Sequence, residues 1–596
     1  MTTDTVTGGQ VPRSRSRPVP GRIARLLSRE GTLVVIAGLA ISAIFNWPVV
    51  LHPKSTIIGG IGDPLLQAWQ MAWQHHFIVA GGDFWTANMF YPATDNFAFS
   101  DSLLGYLPLS LFGNGQYAAV LRYDIAFVLT FALAFIGCYL LVRQLGGNWQ
   151  AAALAGVVFA WTPWRFSHSS HLNVLSTGGI ALAFFALARG HGYSFRCGLR
   201  PELARPWWAF AGWLIAAWQV TIGFAIGIPF IYVMAPVGLV IVVVNVVKRR
   251  QLGAQLTLAN GVGLVVFLGA TFLMAIPYLR VVARYKFTRT WHEVQVFSPP
   301  PPSLLTAPDE TWLWSGSFFN LWNSALFDKA WASETGAGEK LLFPGLVVIL
   351  FALVGLVVSA WPLRIRIGLA VATVIVTIFA LGSSFFGGDF TYYLVWKYLP
   401  GWNALRTPGR LILWAILLLA LLAAGAVTKL AAVLAERDRT PASPGRNRKR
   451  LVAFVLVLPA LGALLEGVPT QPHVTIPGMP PDLRQVFAQT REPMLILPID
   501  TFSEYTYLLW STEGFPQIAN GFNGNFPPQY LELVDTSKSF PDAHSVAVLD
   551  KYDIHKVVVL KVAAASGPYK EALRRPLDGL PVIKTESSDL VVFTVR

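Results

Sequence analysis

Charge is scarce in this sequence. Only 13% of its 596 residues are Asp, Glu, Lys or Arg, about half the share a soluble protein of this size carries. That excludes an ordinary globular enzyme. Cysteine is nearly absent as well. Cys138 lies inside an apolar run and Cys197 in a basic loop, so no disulfide framework is readable. There is no Walker-type loop, no zinc motif and no nucleophile elbow.

What is present is apolar. Hydrophobic residues make up 54% of the chain, and mean hydropathy is +0.51. Runs of roughly 20 apolar residues recur, each long enough to cross a bilayer as a helix. The pattern predicts a polytopic α-helical membrane protein. The net charge of +14 does not imply nucleic acid, because the basic residues gather at the ends of apolar runs, where they set topology. Residues 1–30, with Arg13, Arg15, Arg17, Arg22, Arg25 and Arg29 among Pro and Ser, read as a disordered basic tail on the cytoplasmic side. The apolar run after it reads as a retained anchor.

Spans are expected near 32–51, 121–142, 150–163, 172–188, 207–222, 224–246, 254–278, 341–360, 367–383, 411–430 and 451–466, about 11 in all. The main basic clusters then fall on one side: Arg143; Arg189, Arg196, Arg200 and Arg205; Lys248-Arg249-Arg250; Arg364 and Arg366; and Arg437 to Arg450. The positive-inside bias puts the N-terminus in and the C-terminus out. Arg280, Arg284, Lys286 and Arg289 fall on the outer side, as ordinary loop charges or as groups facing an anion. From about 467 the composition turns soluble. Strands are expected at Met494–Leu497, His555–Leu560 and Leu590–Val595, with helices at Gln529–Val534 and Ala543–Tyr552. This predicts a small extracytoplasmic α/β domain over 467–596, after a membrane domain over 31–466.

The outer loop 52–120 carries the best candidate for a catalytic base, Asp63 in Gly62-Asp63-Pro64. The structural reading of the same residues is a helix start, with Asp63 as N-cap and Pro64 next. Residues 64–79 read as an amphipathic helix lying in the membrane interface. Asp101 suits the first turn of the apolar stretch Leu103–Phe112, or orients the acceptor or supports Asp63. Asn88, Tyr91-Pro92 and Asn96 mark turns. His75 and His76 lack a third ligand at metal spacing. Arg165, His168 and His171 precede an inward helix, and Arg406-Thr407-Pro408-Gly409-Arg410 precedes another. Helix N-termini with flanking arginines suit a phosphate; the alternative is snorkelling to the interface. Glu339 is an outer carboxylate without an assigned role. Tyr505, Tyr507, Trp510, Phe522 and Phe526 either stack on acceptor sugars or form the core of the C-terminal domain.

The segments GDPLLQAWQMAW, NMFYPATDNFAFSDSLLGYLP, WRFSHSSHLNVLST, NALRTPGRLILW and NGFNGNFPPQY resemble a bacterial branch of the GT-C superfamily, the integral-membrane glycosyltransferases that include dolichyl-phosphate-mannose mannosyltransferase-like enzymes. The likeness covers most of residues 32–560. It implies transfer of a sugar from a polyprenyl-phosphate donor to a glycan, lipid or protein acceptor of the cell envelope, at the outer face of a bacterial cytoplasmic membrane. Asp63 would be general base with Asp101 beside it; Arg165, His168, His171, Arg406 and Arg410 would bind the donor phosphate; Trp510, Tyr505 and Phe522 would bind acceptor. No metal ligand is assigned, and a divalent cation is left open. Relatives often carry two adjacent acids in this loop; here Pro64 takes the second place. The rival readings are a lipid-linked sugar transporter or flippase, and a catalytically silent glycolipid-binding scaffold. A transporter would place ionisable residues deep in its spans; here they gather at the rim.

Overall fold

Helix length and exposure divide the apolar runs into two kinds. In the computed structural model, which describes residues 21–248, 251, 253–315, 336–437, 446–470 and 472–596, six helices are long and apolar enough to cross a membrane. Gly115–Leu145, Leu172–Gly190 and Pro408–Glu436 are mostly buried in the protein, whereas Phe224–Val247, Ala254–Tyr285 and Leu363–Ala380 are mostly uncovered. The uncovered faces carry Val246, Leu258, Val265, Leu273 and Val374. Such a continuous apolar exterior would drive aggregation in water and is at home in lipid.

The remaining expected spans are also helical but shorter or broken. Trp149–Trp161, Pro206–Ile222 and Leu346–Val357 are single helices, and the last expected span is split into Arg446–Val455 and Leu458–Glu466. The split falls before Pro459, which has no amide to continue the first helix. The first helix begins at Gly21, so residues 21–30 of the expected tail are helical. The tail through residue 20, Arg249-Arg250 and Arg439 lie outside the described residues. Small residues set the helix spacing. A Cβ on Gly190 would lie 2.3 Å from the Ala209 amide nitrogen, and one on Gly212 would lie 2.7 Å from Leu187. The helices Gly178–Gly190 and Pro206–Ile222 therefore touch backbone to backbone.

The C-terminal sheet has the order Met494–Leu497, Lys556–Leu560, Leu590–Val595, Val582–Glu586, with the first pair parallel and the others antiparallel. Three of these strands are the apolar runs expected from the sequence; Val582–Glu586, an edge strand with exposed Thr585 and Glu586, was not expected. The domain does not stand apart. Thr56–Ile58 pairs with His473–Thr475, and the Phe90 and Tyr91 amides donate to the Asn520 and Ile518 carbonyls at 2.9 and 3.1 Å. The loop after the first helix and the C-terminal domain thus form one packed layer at one end of the helical bundle.

The helix Asp63–Ala80 lies inside that layer. Every residue from Pro64 to Gln74 is buried, which corrects the interfacial placement. Its polar residues have partners: Trp69 donates to Asn88, Gln70 to Ser100 and the Asp101 carbonyl, and Gln74 to the Ser102 carbonyl. The interleaved Gln residues that resembled a water-facing stripe are buried hydrogen-bonding groups. Asn96 holds its turn together through the Ala87 amide and the carbonyls of Ala87, Met89 and Ala93.

Asn520 does the same for the domain junction. Its side chain accepts from the Ile496 amide at 2.6 Å and donates to the Ile496 carbonyl at 2.9 Å and to Glu504 at 2.7 Å. Asn520→Ala strands these buried groups and should cost about 1–3 kcal/mol. An unfolding midpoint unchanged from wild type in detergent would contradict this role.

Candidate active site

Asp63 is the first residue of its helix, and the N-cap position is taken by Gly62 without any side-chain cap bond. This corrects the capping assignment, and its consequence is chemical: the carboxylate is free to face its surroundings. Oδ1 accepts from the Tyr505 hydroxyl at 2.6 Å, and Oδ2 lies 3.2 Å from His171 Nε2. The side chain remains 32% exposed. Burial works to raise its pKa, but the bonds from His171 and Tyr505 and the charge of Arg410 outweigh it, and the carboxyl is held below its ordinary value. Burial and the Asp63 charge push the Tyr505 hydroxyl far up, so it stays a donor.

Three segments meet beside Asp63. The loop 163–171 brings His168 and His171, the turn Ala337–Lys340 brings Glu339, and the start of the helix at 408 brings Arg410. Arg410 Nε lies 3.2 and 3.0 Å from the two Glu339 oxygens, and its Nη2 donates to Oε1 as well. Burial alone would raise Glu339; the charge and hydrogen bonds of Arg410 hold it far below the carboxylate range. Such a fork-on-carboxylate pair is both strong and orienting. His168 is fully buried, and neither ring nitrogen has a hydrogen-bond partner among the described residues. Burial lowers it to about 3, which leaves a neutral ring with one nitrogen free to accept a bond or ligate an ion.

The ligand atoms of His168, His171 and Glu339 lie within 4.8 Å of one another. Two imidazoles and one carboxylate are a donor set for a divalent transition metal such as zinc. The unpartnered nitrogens of His168 fit that use, and Arg410 would share Glu339 with the ion. No sequence spacing announced this set, because Glu339 is remote from the histidines in the chain.

A cavity of about 250 Å³ opens next to this cluster, lined by Asp101, Asn173, Tyr278, Arg289, Arg406, Arg410 and Asn525, among others. Arg406 is partly exposed, stacks over the Phe297 ring at 4.9 Å, and has Glu293 at 3.8 Å as its ion-pair partner. Arg289 donates to Glu293 and to the Gly524 carbonyl. Both arginines line the cavity. Arg280 and Arg284 differ: both pair with Asp95.

Asp101 has a structural partner other than the one expected. Its Oδ1 accepts from the Phe224 amide at 2.6 Å and the Ala225 amide at 3.3 Å, so it caps the helix Phe224–Val247. Oδ2 accepts from Asn173 at 2.6 Å. A Cβ on Gly223 would fall 2.4 Å from the Asp101 carboxyl carbon, and glycine there is what lets the loop approach. Asn173 in turn accepts from Gln67, one turn beyond Asp63. Asp101 is therefore joined to the Asp63 helix through two amides and does not form an acid pair with it. Burial raises its pKa, opposed by these bonds.

Arg165 does not reach the cavity. It is fully buried, donates to Thr177 at 2.9 Å and to the Leu175 carbonyl at 2.5 Å, and lies over Phe131. It pins the turn between Leu172–Leu175 and Gly178–Gly190. Thr407 occupies the N-cap position before Pro408, with no side-chain cap bond. Trp510 is buried and donates to the Pro477 carbonyl, and Phe522 packs on Tyr505 at 4.5 Å. Tyr505, Phe522 and Trp510 are packing residues of the docked domain, with the Tyr505 hydroxyl turned to Asp63. The sequence did not point to Tyr505, Gln67 or Asn173 in these roles. The one visible signal was a polar Asn173 inside an apolar run.

Arg410→Ala should destabilise the fold by about 3–5 kcal/mol, because it leaves Glu339 charged and unpaired. Adding Glu339→Ala should recover part of that loss; an additive second loss would contradict the pairing. Zinc or manganese should raise the melting temperature of the wild type, and the rise should vanish in His168→Ala with His171→Ala. An equal rise in that variant would show that the ion binds elsewhere.

No protein-family model matches the chain, and no curated protein matches it. Solved structures similar to it include arabinofuranosyltransferase AftD from Mycobacteria, at 14% identity and a TM-score of 0.43, over 95% of this chain and 40% of that one. The oligosaccharyltransferase of Archaeoglobus fulgidus tethered with an acceptor peptide is similar at 13% identity and a TM-score of 0.47, over 95% of this chain and 74% of that one. The archaeal oligosaccharyltransferase AglB with an inhibitory peptide and a dolichol-phosphate gives 12% identity and a TM-score of 0.40, over 89% and 69%. The chain spans less than half the length of the arabinofuranosyltransferase. All three are named as transferases of a sugar or an oligosaccharide.

Proposed function

We propose that this protein is a GT-C-type membrane glycosyltransferase that moves a sugar from a polyprenyl-phosphate donor to an extracytoplasmic glycan, lipid or protein acceptor. The observation that carries the reading is the placement of Asp63. It is an ionised carboxylate, unused for capping, about one-third exposed, beside an arginine-lined cavity at one end of a membrane bundle. A carboxylate held in its charged form by Tyr505 and His171 is ready to take a proton, although the same bonds reduce its basic strength.

In this reading Asp63 removes the proton of the acceptor hydroxyl as its oxygen attacks the anomeric carbon. The bond from that carbon to the lipid phosphate breaks, and the configuration inverts through an oxocarbenium-like transition state. Arg406 and Arg289 bind the departing phosphate, where charge develops. Arg410 acts mainly through Glu339, fixing the carboxylate and the histidines. A divalent cation held by His168, His171 and Glu339 would add Lewis-acid stabilisation of the leaving phosphate. Asp101 and Asn173 are positioning residues that set the start of the helix at Phe224 against the helix that begins with Asp63. The ionisable residues gather at the ends of the spans and not at a central site, which supports an enzyme over a transporter.

Asp63→Asn should lower turnover by about 10²–10⁴-fold. Its melting temperature should stay close to that of the wild type, since the side chain caps nothing. Unchanged turnover sinks the assignment. Arg406→Ala should weaken donor binding by about 10–100-fold, the equivalent of a charged hydrogen bond, and undiminished donor affinity would remove it from the phosphate site.

A further inference from the structure

At the opposite end of the bundle lies a second cavity, larger than the first and unrelated to catalysis. It holds about 500 Å³ and is lined by five arginines: Arg143, Arg189, Arg196, Arg200 and Arg205. The unbroken helix Gly115–Leu145 separates it from the layer that holds the candidate active site. The Gln116 amide at the start of that helix donates to Glu513 of the C-terminal layer, and Arg143 sits in its last turn, about 40 Å away at 1.5 Å per residue. That is close to the thickness of a bilayer with its headgroup regions.

The arginines are held around the concavity by a folded loop. Tyr193–Ser194 pairs with Gly198–Leu199. The Phe195 amide donates to the Leu145 carbonyl, and the Arg205 amide to the Gly190 carbonyl. Gly192, at φ +65°, has no room for a Cβ, which would sit 2.2 Å from the Arg200 carbonyl oxygen. A loop needed only to mark the inner side of a membrane has no reason to be built this closely.

The local charge is not balanced. Arg143 is paired with Glu30 at 2.7 Å. Arg189 reaches Gln144 and lies over the Trp208 ring, and Arg205 donates to the Ala204 carbonyl. Arg196 and Arg200 have no side-chain hydrogen bond or ion pair among the described residues. The helices ending at Leu145 and Gly190 each direct about half a negative charge at this end. Even with these, Glu30 and Glu202 set against the five arginines, an excess of about two positive charges remains. That excess is enough to hold the single negative charge of a phosphodiester. Trp207, two-thirds exposed, follows the lining residue Arg205 by two positions, and Trp208 lies under Arg189; indole rings at a helix end of this kind anchor in headgroups.

We propose that this cavity binds the phosphate of an anionic lipid headgroup in the leaflet opposite the candidate active site. The inference is independent of the transferase reading. The test uses the full chain in neutral detergent, with melting temperature followed against dioctanoyl phosphatidylglycerol, dioctanoyl phosphatidylcholine and inorganic phosphate. The phosphatidylglycerol should stabilise saturably and the phosphatidylcholine should not. Arg196→Gln with Arg200→Gln should weaken the phosphatidylglycerol effect roughly 30-fold without moving the lipid-free midpoint. If the double variant fails to fold, Arg196→Gln alone carries the test, since that side chain supports no other group. Equal stabilisation by both lipids, or a variant that responds as wild type, overturns the proposal. Inorganic phosphate matching phosphatidylglycerol at the same concentration would assign the cavity to a free anion and overturn the lipid as occupant.

Discussion

The pairing of Glu339 with Arg410 holds the rest of the rim in place. The two residues lie 71 positions apart, on segments that have no contact through sequence, and both are nearly buried. A carboxylate in such a place without its guanidinium would give up its charge or move to water. With the guanidinium on both oxygens it stays ionised, and its remaining field acts on His168 and His171. His171 then meets Asp63, and Asp63 meets Tyr505 of the C-terminal domain. A line of paired charges and hydrogen bonds thus joins the start of one membrane helix, two loops and the soluble layer.

This line explains why the C-terminal domain is packed so closely on the loop after the first helix. The Tyr505 hydroxyl can reach Asp63 only if the helix Thr501–Ser511 is fixed against the helix Asp63–Ala80. The strand pairing of Thr56–Ile58 with His473–Thr475 and the Asn520 contacts do that fixing. Asp101 solves a related problem from the other side. By capping the helix that begins at Phe224, it brings a membrane helix up to the cavity while its second oxygen holds Asn173. The outcome is a rim in which Arg289 and Arg406 line the cavity and the Asp63 carboxylate stays partly exposed beside it.

Much of the fold was legible in the sequence, and for simple reasons. Apolar runs at membrane length became helices, and the short apolar runs Met494–Leu497, Lys556–Leu560 and Leu590–Val595 became strands, because length and local composition decide both. The site was legible only in its members. Asp63, Asp101, His168, His171, Arg406 and Arg410 stood out as polar groups at helix starts, yet their partners come from distant segments. Asp63 looked like an N-cap because Gly62-Asp63-Pro64 fits that pattern, but the extended backbone at Gly62 moved the cap position back by one residue. The Gln residues of 64–79 read as a wet face because periodicity cannot tell a buried amide with partners from a solvated one. Arg165 resembled Arg406 in sequence and differs in burial alone, which no spacing reveals.

The account stands or falls on chemistry at the Asp63 rim. The most direct measurement is incubation of the purified protein with a panel of polyprenyl-phosphate sugars, following release of free polyprenyl phosphate by mass spectrometry. Release from at least one donor, dependent on the protein and saturating with donor concentration, is the predicted result. Donor that binds across the panel and is recovered intact would contradict it, and would leave a glycolipid-binding protein in its place.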